Sequence, residues 1–147
     1  MSPSARRFFS NEDQEKIVNA ILNAELDTSG EIRVHIETYC KADVLDRTAF
    51  LFKKLKMDQT ELRNGVLFYL AVKSRKFAII GDSGINKAVP ANFWDDIKEL
   101  MGKKFSENQF TEGLTVGILE AGKHLKKHFP HHSDDINELP DEISFDR

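Results

Sequence analysis

The chain has 147 residues, 40% of them hydrophobic, with 21 basic and 24 acidic side chains and a formal net charge of -3. This length suits one domain with a single buried core, and the lack of excess positive charge argues against a nucleic-acid-binding protein. No apolar stretch is long enough for a membrane span, and the first residues lack the apolar segment of a signal peptide, so we expect a cytoplasmic protein. Cys40 is the only cysteine, which excludes an intrachain disulfide.

The acidic charge is concentrated near the C-terminus. Residues 134–147 hold six acidic side chains and one basic one, which leaves 20 basic and 18 acidic side chains in the rest of the chain. We therefore predict a single α/β domain over residues 1–130 and an acidic tail over residues 131–147. The tail either folds over the body through its apolar side chains or recruits a protein partner. These apolar side chains are Ile136, Leu139, Ile143 and Phe145.

The first half of the chain predicts a helix, a strand, a helix and a strand. Ser10 is a suitable N-cap for a helix that ends near Leu26. Apolar and polar residues then alternate along EIRVHIETY, which is typical of a strand. Helical spacing returns over residues 43–57, and the apolar run GVLFYLAV at 65–72 predicts the second strand. This order favours two parallel strands joined by a right-handed crossover.

A third strand, FAII, follows after only four residues, so the connection permits only an antiparallel hairpin. If Lys73 pairs with Lys76, Asp82 lies opposite Leu67. Two helices complete the domain. Pro90 suits the first turn of one of them, with Trp94 exposed at its edge.

The last helix is predicted from a capping box formed by Ser106 and Gln109. Within this helix small residues recur every four positions, which indicates that a neighbouring backbone comes close. These residues are Gly113, Gly117 and Ala121.

Three polar loops from distant parts of the chain meet at one edge of the predicted sheet. They contain Thr28, Ser29, Gly30, Glu31, Arg63, Asn64, Gly65, Gly81, Asp82 and Ser83. Carboxylate and amide oxygens suit a hard cation, whereas arginine and backbone N–H groups suit phosphate. Two explanations are open: either this edge binds a ligand, or an Arg63–Asp82 ion pair joins two loops, with Asn64 and Gly65 in left-handed turns.

Two other motifs favour no specific chemistry. The GDSG sequence at 81–84 resembles serine hydrolase motifs, but no Asp-x-x-His pair follows to supply the base for Ser83. His124 and His128 lie one helical turn apart, before His131, His132, Asp134 and Asp135. The intervening residues are Leu-Lys-Lys, without the glutamate of a metalloprotease, so a solvated helix end explains them.

Five segments together resemble the TPM domain family, and the resemblance covers nearly the whole chain. They are TSGEIRVHIE at 28–37, RNGVLFYLA at 63–71, KFAIIGDSGI at 76–85, FW at 93–94 and FTEGLTVGILEAGKHLKKHFP at 110–130. The resemblance implies a Rossmann-like three-layer α/β/α sandwich with a mixed sheet flanked by helices. Plant members are described as thylakoid acid phosphatases, and other members as membrane-tethered accessory proteins. The family positions carried over are Asn64, Gly65, Gly81 and Asp82, whereas Arg63 replaces an acidic residue found in many members.

We favour a binding or accessory module that acts through the sheet-edge loops. The alternative is a phosphatase-like hydrolase of phosphate monoesters, with Asp82 and Glu31 as catalytic residues and a divalent cation, calcium or magnesium, on Asp82. The residues expected to bind phosphate or another ligand are Ser29, Gly30, Arg63, Asn64, Gly65, Gly81 and Ser83. A protein partner is expected at these loops or at the acidic tail.

Overall fold

The structure is a computed structural model that describes residues 5–131 and 137–146. Its helices are α1 (Ala5–Phe8), α2 (Asn11–Asp27), α3 (Val44–Lys54), α4 (Ser83–Ala88), α5 (Asp95–Ser106) and α6 (Phe110–Leu125), and its strands are β1 (Glu31–Glu37), β2 (Gly65–Ala71), β3 (Lys76–Gly81) and β4 (Ser144–Phe145).

The four strands form one mixed sheet in the order β3-β2-β1-β4. Strand β1 runs parallel to β2 and to β4, while β2 and β3 are antiparallel. The predicted parallel pair and the predicted hairpin are both confirmed. The β1–α3–β2 connection is compatible with a Rossmann-like arrangement, because a helix links two neighbouring parallel strands.

Helices cover both faces of the sheet. Alternation along β1 directs Ile32, Val34 and Ile36 into a core that includes buried residues of α2, α5 and α6. The opposite face carries Leu67 and Tyr69 of β2, which pack in a second cluster with side chains of α3. The predicted three-layer α/β/α architecture is therefore confirmed.

Side-chain caps start two of the helices, and the cap at Ser10 was predicted. Ser10 Oγ accepts a hydrogen bond from the Asp13 N–H at 3.0 Å and caps α2. Asp43 Oδ2 accepts from the N–H groups of Leu45 and Asp46, both at 3.1 Å, and caps α3. In both cases the side chain replaces a backbone acceptor that the first turn of a helix lacks.

The hairpin register differs from the prediction by two residues. Ala71 pairs with Lys76 and Val66 pairs with Gly81, so Asp82 comes level with Gly65 rather than with Leu67. The turn occupies residues 72–75, because the N–H groups at 72 and 73 donate to the β1 side of the sheet and not to β3. The strand ends at Gly81, and Asp82 caps the short helix α4.

Helix α5 begins later than predicted. The Phe93 N–H donates to the Pro90 carbonyl at 3.0 Å, which forms a separate turn, and the helix starts at Asp95. Trp94 is only 9% exposed and belongs to the core, so the prediction of an exposed tryptophan is wrong.

The predicted capping box before α6 does not form. Ser106 is the last residue of α5, and its hydroxyl donates to the Lys103 carbonyl at 2.7 Å. Gln109 occupies the N-cap position of α6 but makes no capping side-chain hydrogen bond. Helix α6 therefore starts at Phe110, three residues later than a capping box at Ser106 would place it.

The small residues of α6 allow close packing, but not where the spacing predicted a backbone contact. A Cβ at Gly113 or Gly117 would meet the side chains of Phe105 and Met101 on α5. The close backbone approach lies at Gly122, where a Cβ would come within 2.9 Å of the Ala24 Cα on α2. Gly122 thus sets the distance between α2 and α6.

The described part of the tail, residues 137–146, folds over the body. Leu139 is 8% exposed in the second core cluster, and Ile143 and Phe145 pack against the first. Strand β4 pairs with β1. The predicted contact of Ile136 and the roles of His132, Asp134 and Asp135 lie outside the described residues. Among the residues that are described, no helix is long and apolar enough to cross a membrane.

Candidate functional site

Asn64 connects two of the three loops predicted to meet at the sheet edge. Its side-chain Nδ2 donates to the Ser29 carbonyl at 2.8 Å, and its own carbonyl accepts from the Glu31 N–H at 3.0 Å. The Ser29 N–H donates to the Phe129 carbonyl at 2.8 Å, which anchors this loop to the segment after α6. We call the region formed by residues 28–31, 60–65 and 81–84 the loop edge.

The ion pair predicted at the loop edge is present. Arg63 Nε and Nη2 donate to the two carboxylate oxygens of Asp82 at 2.7 and 2.9 Å. Arg63 itself has a positive φ of 51°, whereas Asn64 and Gly65 do not, so the left-handed residue is one position earlier than predicted. The Asp82 side chain is 5% exposed and that of Arg63 is 48% exposed.

Helix α4 also bonds to the Asp82 carboxylate. Oδ1 also accepts from the Ser83 N–H at 2.7 Å. The Asp82 N–H donates to the Gly65 carbonyl at 2.9 Å, so the backbone is held as firmly as the side chain. Asp82 therefore joins the ends of β2 and β3 to the start of α4 through hydrogen bonds of its side chain and its backbone.

The loop-edge glycines permit close packing of the chain rather than open amides. A Cβ at Gly84 would lie 2.2 Å from the Leu62 carbonyl oxygen, and one at Gly65 would lie 2.9 Å from the Met57 carbonyl oxygen. The Gly84 N–H donates to the Arg63 carbonyl, and the Gly30 N–H donates to Thr28 Oγ1. A Cβ at Gly81 would collide with the side chain of Ile85. The expected phosphate-facing N–H groups are thus already used at positions 30 and 84.

Glu31 and Asp82 are not brought together. Gly65 lies between them, since it pairs with Glu31 across β1 and β2 and accepts the Asp82 N–H. Two strand spacings separate the carboxylate-bearing residues, about 10 Å. Glu31 Oε1 instead accepts the tail N–H groups of Glu138 and Leu139 at 2.5 and 2.8 Å.

Burial changes the acidity of Glu31. The carboxyl group lies beneath the tail, and the residue is 4% exposed. Desolvation raises its pKa to about 7, although the hydrogen bonds from Leu139 and Glu138 lower it again in part.

A small pocket lies beside Glu31, and two of its lining residues were not identified from the sequence. Its volume is about 70 Å³, and it is lined by Glu25, Thr28, Ser29, Gly30, Glu31, His131 and Asn137. Burial, followed by a hydrogen bond with Asp141, raises the pKa of Glu25 to about 9. We call this the carboxylate pocket.

The sequence held a signal for Glu25 but none for the tail residues. Glu25 follows Ile17 and Ile21 at four-residue spacing, which places a carboxylate on the inward side of α2. Asn137 and Asp141 reach the pocket region only because the tail folds back. Asn137 Nδ2 donates to Asp141 Oδ2 at 2.8 Å.

Two buried oxygens near this region lack hydrogen-bond donors among the described residues. They are Oδ1 of Asp141 and Oδ1 of Asn64. Asn64 also bonds to Ser29, which lines the pocket. Buried oxygens without donors are costly unless a water or a cation satisfies them.

Comparison with known proteins gives one family and several structural relatives. The family model of the TPM domain matches residues 4–124. An NMR structure of the BA42 protein from the psychrophilic bacterium Bizionia argentinensis is 47% identical, covers 95% of this chain and 96% of its own, and superimposes with a TM-score of 0.90.

Two more distant structures share the fold alone. The N-terminal domain of a P. gingivalis protein is 21% identical with a TM-score of 0.69, covering 84% of this chain and 82% of its own. The N-terminal domain of the cg2496 protein from Corynebacterium glutamicum is 16% identical with a TM-score of 0.64, covering 78% and 72%. No curated protein matches this chain.

Proposed function

This chain belongs to the TPM domain family, and from that premise we propose that it is a binding module whose carboxylate pocket holds a hard divalent cation, calcium or magnesium. The single observation that carries the proposal is the convergence of Glu25, Glu31 and the tail residue Asp141 on one side of the loop edge. The bound cation would tie the tail to the start of β1.

The ligand types in the pocket support a hard cation. Glu25 and Glu31 supply carboxylate oxygens, and Asn137 supplies an amide oxygen. These are the groups that calcium and magnesium prefer, with water completing the coordination. Among the described residues, these side chains do not form a set of three with all ligand atoms within 4.8 Å, so several bound waters are expected.

The electrostatics of the pocket support the same proposal. The pKa values of Glu25 and Glu31 are raised because burial, reinforced for Glu25 by Asp141, penalises their ionised forms. A divalent cation would offset this penalty and would displace the protons. Protons and cations are therefore expected to compete for the same oxygens.

A cation at Asp82 fits the residues poorly. Both Asp82 oxygens already accept hydrogen bonds from the Arg63 guanidinium, and one of them also accepts from the Ser83 N–H. A metal there would displace Arg63 and would lie beside its positive charge. We therefore place the expected cation in the carboxylate pocket.

The phosphatase-like alternative has less support for the same reason. Its two proposed catalytic residues, Asp82 and Glu31, lie on opposite sides of Gly65 and are engaged in separate hydrogen-bond networks. Arg63 would have to leave Asp82 in order to bind phosphate. A binding role requires neither rearrangement.

A protein partner at the loop edge is the second part of the proposal. Leu62 is 57% exposed and stands next to the half-exposed Arg63 side chain. Residues 137–146 of the tail are packed on the body and are less suited to recruit a partner. Replacing Leu62 with serine should then reduce partner capture in a pull-down, and the same replacement at Leu45, 54% exposed on α3, should not.

Isothermal titration calorimetry with calcium and with magnesium tests the cation proposal. We expect saturable binding by the full chain and at least tenfold weaker binding by Glu25→Gln and by Glu31→Gln. Glutamine keeps the shape of the side chain but removes the ionisable carboxyl group. Glu99→Gln, on an exposed face of α5, is the matched control and should bind like the unmodified protein. Absence of binding, or equal binding by all variants, would contradict the proposal.

A further inference from the structure

A second cluster of titratable side chains lies at the opposite end of β1 from the loop edge. His35 and Glu37 project from the same face of β1, and Asp146 follows β4. One ligand atom from each of these residues lies within 4.8 Å of the others, and no other such set of three occurs among the described residues.

The two ring nitrogens of His35 differ in whether they have a hydrogen-bond partner among the described residues. Its Nδ1 lies 2.9 Å from Ser144 Oγ, within hydrogen-bond distance. Its side chain is 3% exposed, yet Nε2 has no hydrogen-bond partner among the described residues and lies 3.9 Å from Asp146 Oδ2. A buried ring nitrogen therefore points towards a carboxylate without touching it.

This arrangement matches how proteins prepare a histidine to bind a metal. A ligating histidine usually donates its other N–H to an oxygen, which fixes the tautomer and the ring orientation. Ser144 can serve that purpose here, and the ring is further held by stacking on Tyr69, with 6.2 Å between ring centroids. The free lone pair of Nε2 then faces the space beside Asp146.

We propose that His35 Nε2 and the Asp146 carboxylate, with Glu37 beside them, bind a divalent transition-metal ion of the zinc class. Imidazole nitrogen combined with carboxylate oxygen is a ligand set that zinc accepts. The carboxylate pocket, by contrast, offers mainly carboxylate and amide oxygen and suits calcium or magnesium. Because Asp146 is 40% exposed, an ion can enter from solvent and keep water at its open positions.

Arg47 is the competitor for this site. Its Nε and Nη2 donate to the two Glu37 oxygens at 3.0 and 2.7 Å, and Nη2 also lies 3.3 Å from Asp146 Oδ2. Tyr69 donates a further hydrogen bond to Glu37. Metal binding requires Arg47 to release Asp146 only, and its 28% exposed side chain on α3 has room to do so.

A metal ion bound at this site would connect two strands of the sheet. His35 belongs to β1, whereas Asp146 directly follows β4, a two-residue strand at the edge of the sheet. An ion shared by both would fasten this short strand to the sheet. Amide hydrogen exchange of residues 144–146 should therefore slow when the metal binds.

Histidine side-chain NMR with zinc chloride tests the proposal on the full chain. Long-range ¹H–¹⁵N spectra should show a saturable shift of His35 Nε2, with Nδ1 remaining protonated. Asp146→Asn, which alters a partly exposed residue, should weaken zinc binding tenfold or more, and so should His35→Gln. Arg47→Gln should not weaken it, because the competing guanidinium is removed.

An exposed histidine provides the control. His128→Gln should leave the His35 shift and its zinc affinity unchanged. Zinc shifts confined to histidines other than His35, or an affinity unchanged in both Asp146→Asn and His35→Gln, would overturn the proposal. Calcium binding at the carboxylate pocket is a separate measurement, so the two proposals fail independently.

Discussion

At the scale of single residues, the loop edge depends on hydrogen bonds that join different loops. Asp82 accepts from Arg63 and from the Ser83 N–H, while Asn64 bridges Ser29 and the Thr60 hydroxyl. Such residues hold loops together, and their chemistry is used within the chain. The carboxylates of Glu25 and Glu31 differ, because burial raises their pKa and leaves them better stabilised by a proton or a cation.

Substitutions of Asp82 separate its structural role from catalysis. Asparagine caps helices about as well as aspartate, so Asp82→Asn should retain the cap of α4 and weaken only the contact with Arg63. Asp82→Ala loses the cap as well and should be about 1 kcal/mol less stable than Asp82→Asn. Urea unfolding measures both.

Two outcomes would count against this account of Asp82. Equal stability of the alanine and asparagine variants would show that the cap contributes nothing. Loss of phosphate monoester hydrolysis in a folded Asp82→Asn protein would favour the hydrolase alternative. Calcium binding by Asp82→Asn should match that of the unmodified protein, because Asp82 lies outside the carboxylate pocket.

At the scale of elements, the local signals were followed unevenly, since the capping box at Ser106 and Gln109 does not form. Ser10 caps α2 as expected, because an N-cap depends on residues only three positions apart, and Asp43 caps α3 although no cap was predicted there. The predicted hairpin register was wrong because the turn has four residues and Arg75 in it adopts a positive φ of 54°. Glycine is the usual residue at a turn position with positive φ. Nothing in the sequence distinguishes Arg75 from its neighbours.

The loop edge could be predicted from the sequence, whereas the carboxylate pocket could be predicted only in part. Parallel strands begin at the same edge of a sheet, so the meeting of Ser29 with Asn64 follows from the strand pattern. Asp141 could not be assigned, since its position depends on where the tail packs. That packing is decided by Leu139 in the second core cluster and by β4 on β1, two contacts far apart in sequence.

Glycine substitutions test the packing of α6 against α2. A Cβ at Gly122 would meet the Cα, Cβ and carbonyl oxygen of Ala24 at 2.9 to 3.0 Å, so Gly122→Ala should force the helices apart and cost about 1–3 kcal/mol. Gly102→Ala on α5 is the control, because its Cβ would find its nearest neighbour, Phe77, at an ordinary 3.8 Å.

The control variant, Gly102→Ala, should be more stable than the unmodified protein. Alanine is favoured over glycine within a helix by up to about 1 kcal/mol. Thermal and urea unfolding of the two variants should therefore move in opposite directions. If Gly122→Ala were as stable as Gly102→Ala, the close approach of α2 and α6 would not be a feature of the protein in solution.

At the scale of the whole molecule, two carboxyl groups with raised pKa values lie where the tail packs on the body. Glu25 and Glu31 lie between α2, β1 and the folded tail, with folded-state pKa values of about 9 and about 7. Unfolded glutamate titrates near about 4.3. Between the unfolded and the folded pKa of each glutamate, the folded protein binds more protons than the unfolded chain. Its free energy of unfolding therefore falls as pH rises.

The pH dependence of stability is therefore expected to have a definite sign. In EDTA, the contribution of Glu31 should be lost through about pH 7 and that of Glu25 through about pH 9, as urea unfolding would show. Calcium should reduce the decline by replacing the protons. The double variant Glu25→Gln, Glu31→Gln should lack both effects, and an unchanged slope in that variant would be inconsistent with this assignment.

The most direct test of the central claim is an amide NMR titration of the full chain with calcium. We predict saturable shifts at Gly30, at Glu31 and in the tail over residues 137–141, with Gly81 and Gly84 unaffected. Such a pattern would place the cation in the carboxylate pocket. Shifts centred on Gly81 and Gly84 would instead place it at Asp82, and a spectrum unchanged by calcium would contradict the binding of a cation altogether.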